Sequence, residues 1–243
     1  MIIWFALFFL VLLVSLILAY KSMEDYRETT IGLGVDYSLF LIRQPQALTE
    51  QIIQSLHQEI LKEGLILSWE RLFKGSKSAL VVFGPVNLLQ PFSTRLGLLE
   101  LEDYSQKLTP QHLTGVTCWE VGTKHSPSAP LSLNNLFKEF PQLQVEEEFW
   151  WQVVVQPKLS HFQSVIRAVV VAANQKKAQE LQESLSKIGG EAGLALLPQP
   201  YAVSQLVKFY QDRALPHNLT VIAGKGIFPL LTASEILDLV GAR

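Results

Sequence analysis

The sequence predicts a mixed α+β protein, with an N-terminal transmembrane helix followed by two α/β units of the ferredoxin-like, split βαβ kind. Three observations carry this. Residues 2–20, IIWFALFFLVLLVSLILAY, contain no charge. From residue 37 to 124 the hydrophobic pattern switches between periods of two and 3.6 in the order β-α-β-β-α-β, which is the split βαβ arrangement. A succession of strand, amphipathic helix, glycine and strand occurs at 37–70 and again at 165–198, which reads as a duplicated unit.

The first segment, 1–22, is the expected membrane anchor. Nineteen uncharged residues at 1.5 Å rise span roughly 28 Å, close to the hydrocarbon thickness of a bilayer. Trp4 and Tyr20 sit near the two ends, where amphipathic rings favour the headgroup level. Phe5, Phe8, Leu12 and Leu16 supply apolar surface between them. A cleaved signal peptide fits less well. No Lys or Arg precedes the run, and Ile17 occupies the −3 position before Ala19. Lys21 and Arg27 follow the span, although Glu24, Asp25 and Glu28 are mixed among them. The positive-inside rule then puts the C-terminal body in the cytoplasm, as a single-pass protein of the cell membrane.

The first α/β unit is read over 35–124. Gly32 and Gly34 loosen the chain before a strand at Tyr37–Ile42. The apolar stretch around Asp36 is too short to be a second span, so Asp36 sits at a strand start. Pro45 suits the first turn of a helix whose face is Leu48, Ile52, Ile53, Leu56, Ile60 and Leu61, closed by Gly64. The runs LILSWERLF and SALVVFG read as strands. PVNLLQPFSTRLGLLEL reads as a helix interrupted at Pro91, and VTCWEVGTK (116–124) as the fourth strand.

Residues 125–143 read as a linker. It opens with the Ser- and Pro-rich HSPSAPLS and contains a short helix near LNNLFKEF. The second unit covers 144–243. Glu146, Glu147 and Glu148 read as a solvated strand edge. Trp150 and Trp151 must point to opposite faces of the strand that follows. SVIRAVVVAA is the next strand. Asn174 caps a helix with the stripe Ala178, Leu181, Leu185 and Ile188, closed by Gly189. LALLPQP returns as a strand, and the next helix turns Val203, Leu206, Val207 and Tyr210 inward. LTVIAG reads as a strand, and TASE (232–235) is a capping box before ILDLV.

Chemistry is sparse in these patterns. The formal charge is −2 over 243 residues, with no basic stripe to meet a phosphate backbone, so direct nucleic-acid binding is disfavoured. The single cysteine, Cys118, has no intramolecular disulfide partner, which agrees with a reducing compartment and a buried thiol. AGKGIF (223–228) lacks the first glycine and the hydroxyl residue of a phosphate loop. No Gly-x-Ser-x-Gly or Cys-x-x-Cys occurs, and the five histidines are scattered, with His57 off the helix stripe and expected to be exposed. The expectation is therefore a noncatalytic body with no cofactor and no metal. Two other readings remain open. One is an anchored enzyme whose cleft between the units gathers Asp36, Glu120 or His161 with a second titratable group. The other is an extracytoplasmic binding domain with inverted topology.

FWWQVVVQP, FQSVIRAVVVA, the Lys/Glu-rich helix, LLPQPYAVSQLVKFYQDRAL and FPLLTASEILDLVGAR together resemble the membrane-tethered N-terminal region of type IV secretion and conjugation ATPases. The resemblance covers about 130–243, and the anchor and first unit agree with it in order only. In that family the region precedes a nucleotide-binding domain, whose residues have no counterparts here. The resemblance implies a module that sits on the bilayer and docks a motor ATPase or channel partner of a membrane assembly.

Overall fold

In the computed structural model, residues 2–24, 27–28, 34–109, 113–123, 142–197, 201–216 and 230–242 are described, without the side chains at 2–3, 6, 19–24, 27–28 and 216. The chain begins with helix α1 (Ile2–Glu24). Trp4, Phe5, Phe8, Leu12 and Leu16 on it are all exposed, Trp4 by 73%. Tyr20 is on the helix, but its side chain is among those not described. Among the described residues, no helix is long and apolar enough to cross a membrane. The backbone of α1 nonetheless runs 23 residues, and the uncharged sequence extends through stretches whose side chains are not described.

The body is mixed α+β around one antiparallel sheet. Its strands are β2 (Tyr37–Ile42), β3 (Leu67–Lys74), β4 (Lys77–Pro85), β5 (Leu98–Leu101), β6 (Val116–Thr123), β7 (Glu148–Lys158), β8 (His161–Val171) and β9 (Leu194–Leu196). They lie side by side in the order β5-β2-β4-β3-β7-β8-β6-β9, and a short β11 (Leu230–Leu231) adds to β8. Outside this sheet, β1 (Arg27–Glu28) pairs with β10 (Leu215–Pro216).

The order reads the same from both edges toward the β3–β7 seam. Each half, numbered along the chain, runs 4-1-3-2 from its outer edge inward. The two central hairpins also match in register. Counted back from their turns, the pair Ser68↔Phe83 occupies the place of Gln152↔Arg167, and Gly75 occupies the place of Leu159. Both tip residues adopt a left-handed backbone, with φ of 53° and 52°.

Side-chain alternation splits the sheet into two faces. One face carries Trp69, Val82, Trp119, Phe149, Trp151, Val153 and Ile166. It is covered by α2 (Glu50–Glu63), α5 (Gln175–Glu191) and α7 (Ala233–Leu239). The other face carries Cys118, Trp150 and Val169 under α6 (Val203–Gln211). Trp150 and Trp151 thus serve opposite faces, as their adjacency requires. Local signals hold at several ends. Gly64 ends α2 with φ 65°, Asn174 Oδ1 accepts from Lys177 N at 3.0 Å, and Thr232 and Glu235 cap α7 reciprocally.

The structure corrects the sequence reading in several places. The strand at 116–123 does not close the first unit: it pairs with β8 and β9, and the first half takes β5 as its fourth strand. Residues 86–96 form two short α turns, α3 (Val86–Leu89) and α4 (Ser93–Leu96), around a 3-10 turn at Gln90–Phe92, where Pro91 withholds an amide donor. Gly97, at φ 60°, then releases the chain into β5. The segments 37–70 and 165–198 are not equivalent, because the first supplies strands one and two of its half and the second strands three and four of the other. Gly189 lies inside α5, and the left-handed residue is Gly193. Leu61 is 45% exposed and falls off the buried stripe of α2. The expected helix at LNNLFKEF, most of the linker, LTVIAG and AGKGIF fall outside the described residues.

Candidate functional site

The centre of the α6 face holds a row of polar side chains. Glu70 on β3 is opposite Gln152 on β7, Gln152 is opposite Arg167 on β8, and Arg167 is opposite Glu120 on β6. All four are essentially sealed from solvent. Unpaired charge in such a place would cost several kcal/mol per ion, so the arrangement must be mutually satisfied. Glu70 Oε1 accepts from Ser68 Oγ at 2.8 Å, Gln152 Nε2 at 3.1 Å and Arg213 Nε at 3.1 Å. Its other oxygen accepts from the Tyr104 hydroxyl at 2.6 Å. Arg167 donates Nε to Glu120 at 3.1 Å and Nη1 to the Gln152 side-chain oxygen at 3.4 Å, and Nη2 donates to the Ala214 carbonyl.

Two elements outside the sheet complete the row. The 3-10 turn Tyr104–Lys107 begins at Asp103, which accepts from Ser105 N at 3.0 Å and pairs with Arg213. After α6 the chain turns at Arg213, whose φ is 48° and whose guanidinium lies 4.2 Å over the Phe83 ring. Burial alone would disfavour the charge on Arg213, but Glu70 and Asp103 overcome it and hold the guanidinium protonated. Burial works against ionised Asp103 too, and the hydrogen bonds and charge of Arg213, with Ser105, still leave its carboxyl below the ordinary value. Tyr104 and Tyr210 join through their hydroxyls. Burial, reinforced by Glu70, pushes both well above the ordinary phenol value. Part of the Tyr104 side chain reaches the surface, while its hydroxyl is enclosed.

A second cluster centres on Glu148, which accepts from Lys74 Nζ at 2.9 Å, Lys107 Nζ at 2.6 Å and Trp150 Nε1 at 3.0 Å. Burial raises the Glu148 pKa, and the two lysines and the indole outweigh it, so the net shift is downward. Glu147 is buried as well, and its carboxylate accepts from Gln144 N at 2.8 Å. The acidic triplet is therefore not a solvated edge: only Glu146 is exposed, because the turn before β7 folds the other two against Lys74, Lys107 and Lys177.

Asp36, Glu120 and His161 lie apart from one another; Glu120 alone meets a second titratable group in an ion pair, Arg167, but both are sealed from solvent rather than open to a cleft. Asp36 is exposed before β2, and five strand spacings, roughly 24 Å, separate β2 from β6 and Glu120. His161 is exposed at the start of β8, about 20 Å along the strand from Arg167, the partner of Glu120. His57 is buried, contrary to expectation. It packs edge-on against Phe162 at 4.5 Å, and its Nε2 donates to the His161 carbonyl at 3.1 Å. It faces a recess of about 440 Å³ with Glu50, Gln54, Ser160 and Thr232. A smaller apolar crevice of about 30 Å³ lies between α5 and the aromatic trio Trp119, Phe149 and Trp151. The Cys118 thiol is buried and burial pushes its pKa far up, which removes its nucleophilic form at neutral pH. Among the described residues, no group of three His, Cys, Asp or Glu could hold a metal ion.

Of the polar row, the sequence reading singled out Glu120 alone; Glu70, Gln152 and Arg167 were missed, although a signal was present. Each member interrupts a largely apolar run, SWERLF, WWQVVV, VIRAVVV and TCWEVG, although in the first Arg71 follows Glu70 directly. No family model matches this chain, and no curated relative does.

Proposed function

We propose that this chain is a noncatalytic, single-pass membrane module of a type IV secretion- or conjugation-like assembly, which holds a docking body at the cytoplasmic face for a motor ATPase or channel partner. The observation that carries the reading is the contrast between its two parts. The anchor sequence is uncharged from Ile2 to Tyr20, and the described side chains of α1 are exposed and, apart from Ser15, apolar. The body keeps its central ionisable groups sealed and mutually paired, which suits scaffolding better than proton transfer.

The body is two ferredoxin-like, split βαβ units joined strand two to strand two at the β3–β7 seam; the mirrored strand orders and matched hairpin registers support this. A rigid double unit fixed to the bilayer raises the effective concentration of partners in the same membrane. The orientation rests on Lys21 and Arg27 after the apolar run. Affinity purification from detergent after in-membrane crosslinking tests the assembly reading. Recovery of an ATPase or channel subunit in stoichiometric amount is expected, and a strictly monomeric protein with no membrane partner would overturn it.

A further inference from the structure

We propose that residues 213–216 form a strap that ties the short strand following the N-terminal helix, Arg27–Glu28, to the centre of the sheet, so that the buried polar row holds that strand in place. The inference rests on the membrane reading only in treating α1 as an anchor. Just past α1, Arg27–Glu28 pairs with Leu215–Pro216, and among the described residues it has no pairing with the large sheet.

The chain entering that ribbon is gripped at three successive positions. The Arg213 guanidinium bonds Glu70 and Asp103. The Ala214 carbonyl accepts from Arg167. Leu215 is buried with Ile66, Val154, Val165 and Leu197. Three residues before Arg213, the Tyr210 carbonyl accepts from Gln152 Nε2 at 3.0 Å. Three of the four members of the row thus hold the strap or the helix end leading into it. The left-handed backbone at Arg213, which most side chains avoid, bends the chain from α6 toward the ribbon. Such a conformation persists where the surroundings over-determine it, and here two carboxylates and the Phe83 ring do so. Pulling the ribbon away from the sheet would require breaking buried charge contacts. The strap therefore fixes the strand that follows α1 to the centre of the sheet.

The test uses the full chain in membranes with Cys118→Ala as background. Arg27→Cys and Pro216→Cys occupy directly opposed positions, within disulfide reach in an antiparallel pair. Mild oxidation should close an intramolecular disulfide, seen as faster migration without reductant. Adding Arg213→Gln should slow closure at least tenfold. Asp103→Asn, at a site whose side chain is 23% exposed, should slow it severalfold in a protein that still melts cooperatively, and it decides the matter if Arg213→Gln does not fold. Absence of the disulfide in the folded background protein, or closure at an unchanged rate in Asp103→Asn, would overturn the strap. Failure of the membrane reading would show differently, as release of the chain by an alkaline wash with disulfide closure intact.

Discussion

Glu70 accepts hydrogen bonds from Ser68, Tyr104, Gln152 and Arg213 with no exposed surface of its own. Removing Arg213 leaves that carboxylate sealed and uncompensated, so Arg213→Ala should cost about 3–5 kcal/mol in denaturant unfolding. A loss under 1 kcal/mol would mean the pair is not buried as described. Asp103 gives a pH signature. Its folded pKa is depressed, so its contribution is present above the ordinary 3.8 and is lost as pH falls through the folded value. Asp103→Asn should therefore be less stable at neutral pH and lose less stability on acidification. Equal acid slopes for the two proteins would contradict this. Leu159 presents the opposite case: it is 83% exposed and left-handed where the matching hairpin has Gly75. Leu159→Gly should relieve strain and stabilise by up to about 1 kcal/mol, which thermal melting can read.

At the scale of elements, local chemistry was legible and pairing was not. The stripe Ile52, Ile53, Leu56 and Ile60, the glycine after it and the TASE box each act within a few residues, so the sequence displays them directly. The box predicts a loss of about 1 kcal/mol for Thr232→Ala, measured by equilibrium unfolding; no loss would mean that the reciprocal bonds at the start of α7 add nothing. The segment LGLLEL deceived because its leucines also continue the helical spacing of Leu88, Leu89, Phe92 and Leu96. The break is made by Gly97 and by pairing with β2, which is distant in sequence. His57 shows the same limit, since its burial comes from Phe162 and the His161 carbonyl across the fold. The polar row lies between these cases. Charged or amide residues inside four largely apolar strands hint at a shared layer, but only the registers place them opposite one another.

For the whole molecule, the β3–β7 seam joins the halves along the full length of β3, and Glu70 and Gln152 meet across it. Two halves sharing a sheet and a charged row should unfold together, so calorimetry should show one transition with equal calorimetric and van't Hoff enthalpies. Two separated transitions would mean independent units. The central claim is that a sealed body is held at a bilayer by α1, and retention after alkaline washing of membranes tests it most directly. The full chain should stay with the vesicles, and Leu12→Arg with Leu16→Arg, each costing about 2.5–3.5 kcal/mol at mid-helix, should release it. Release of the unaltered chain, or retention of the doubly charged one, would contradict the account.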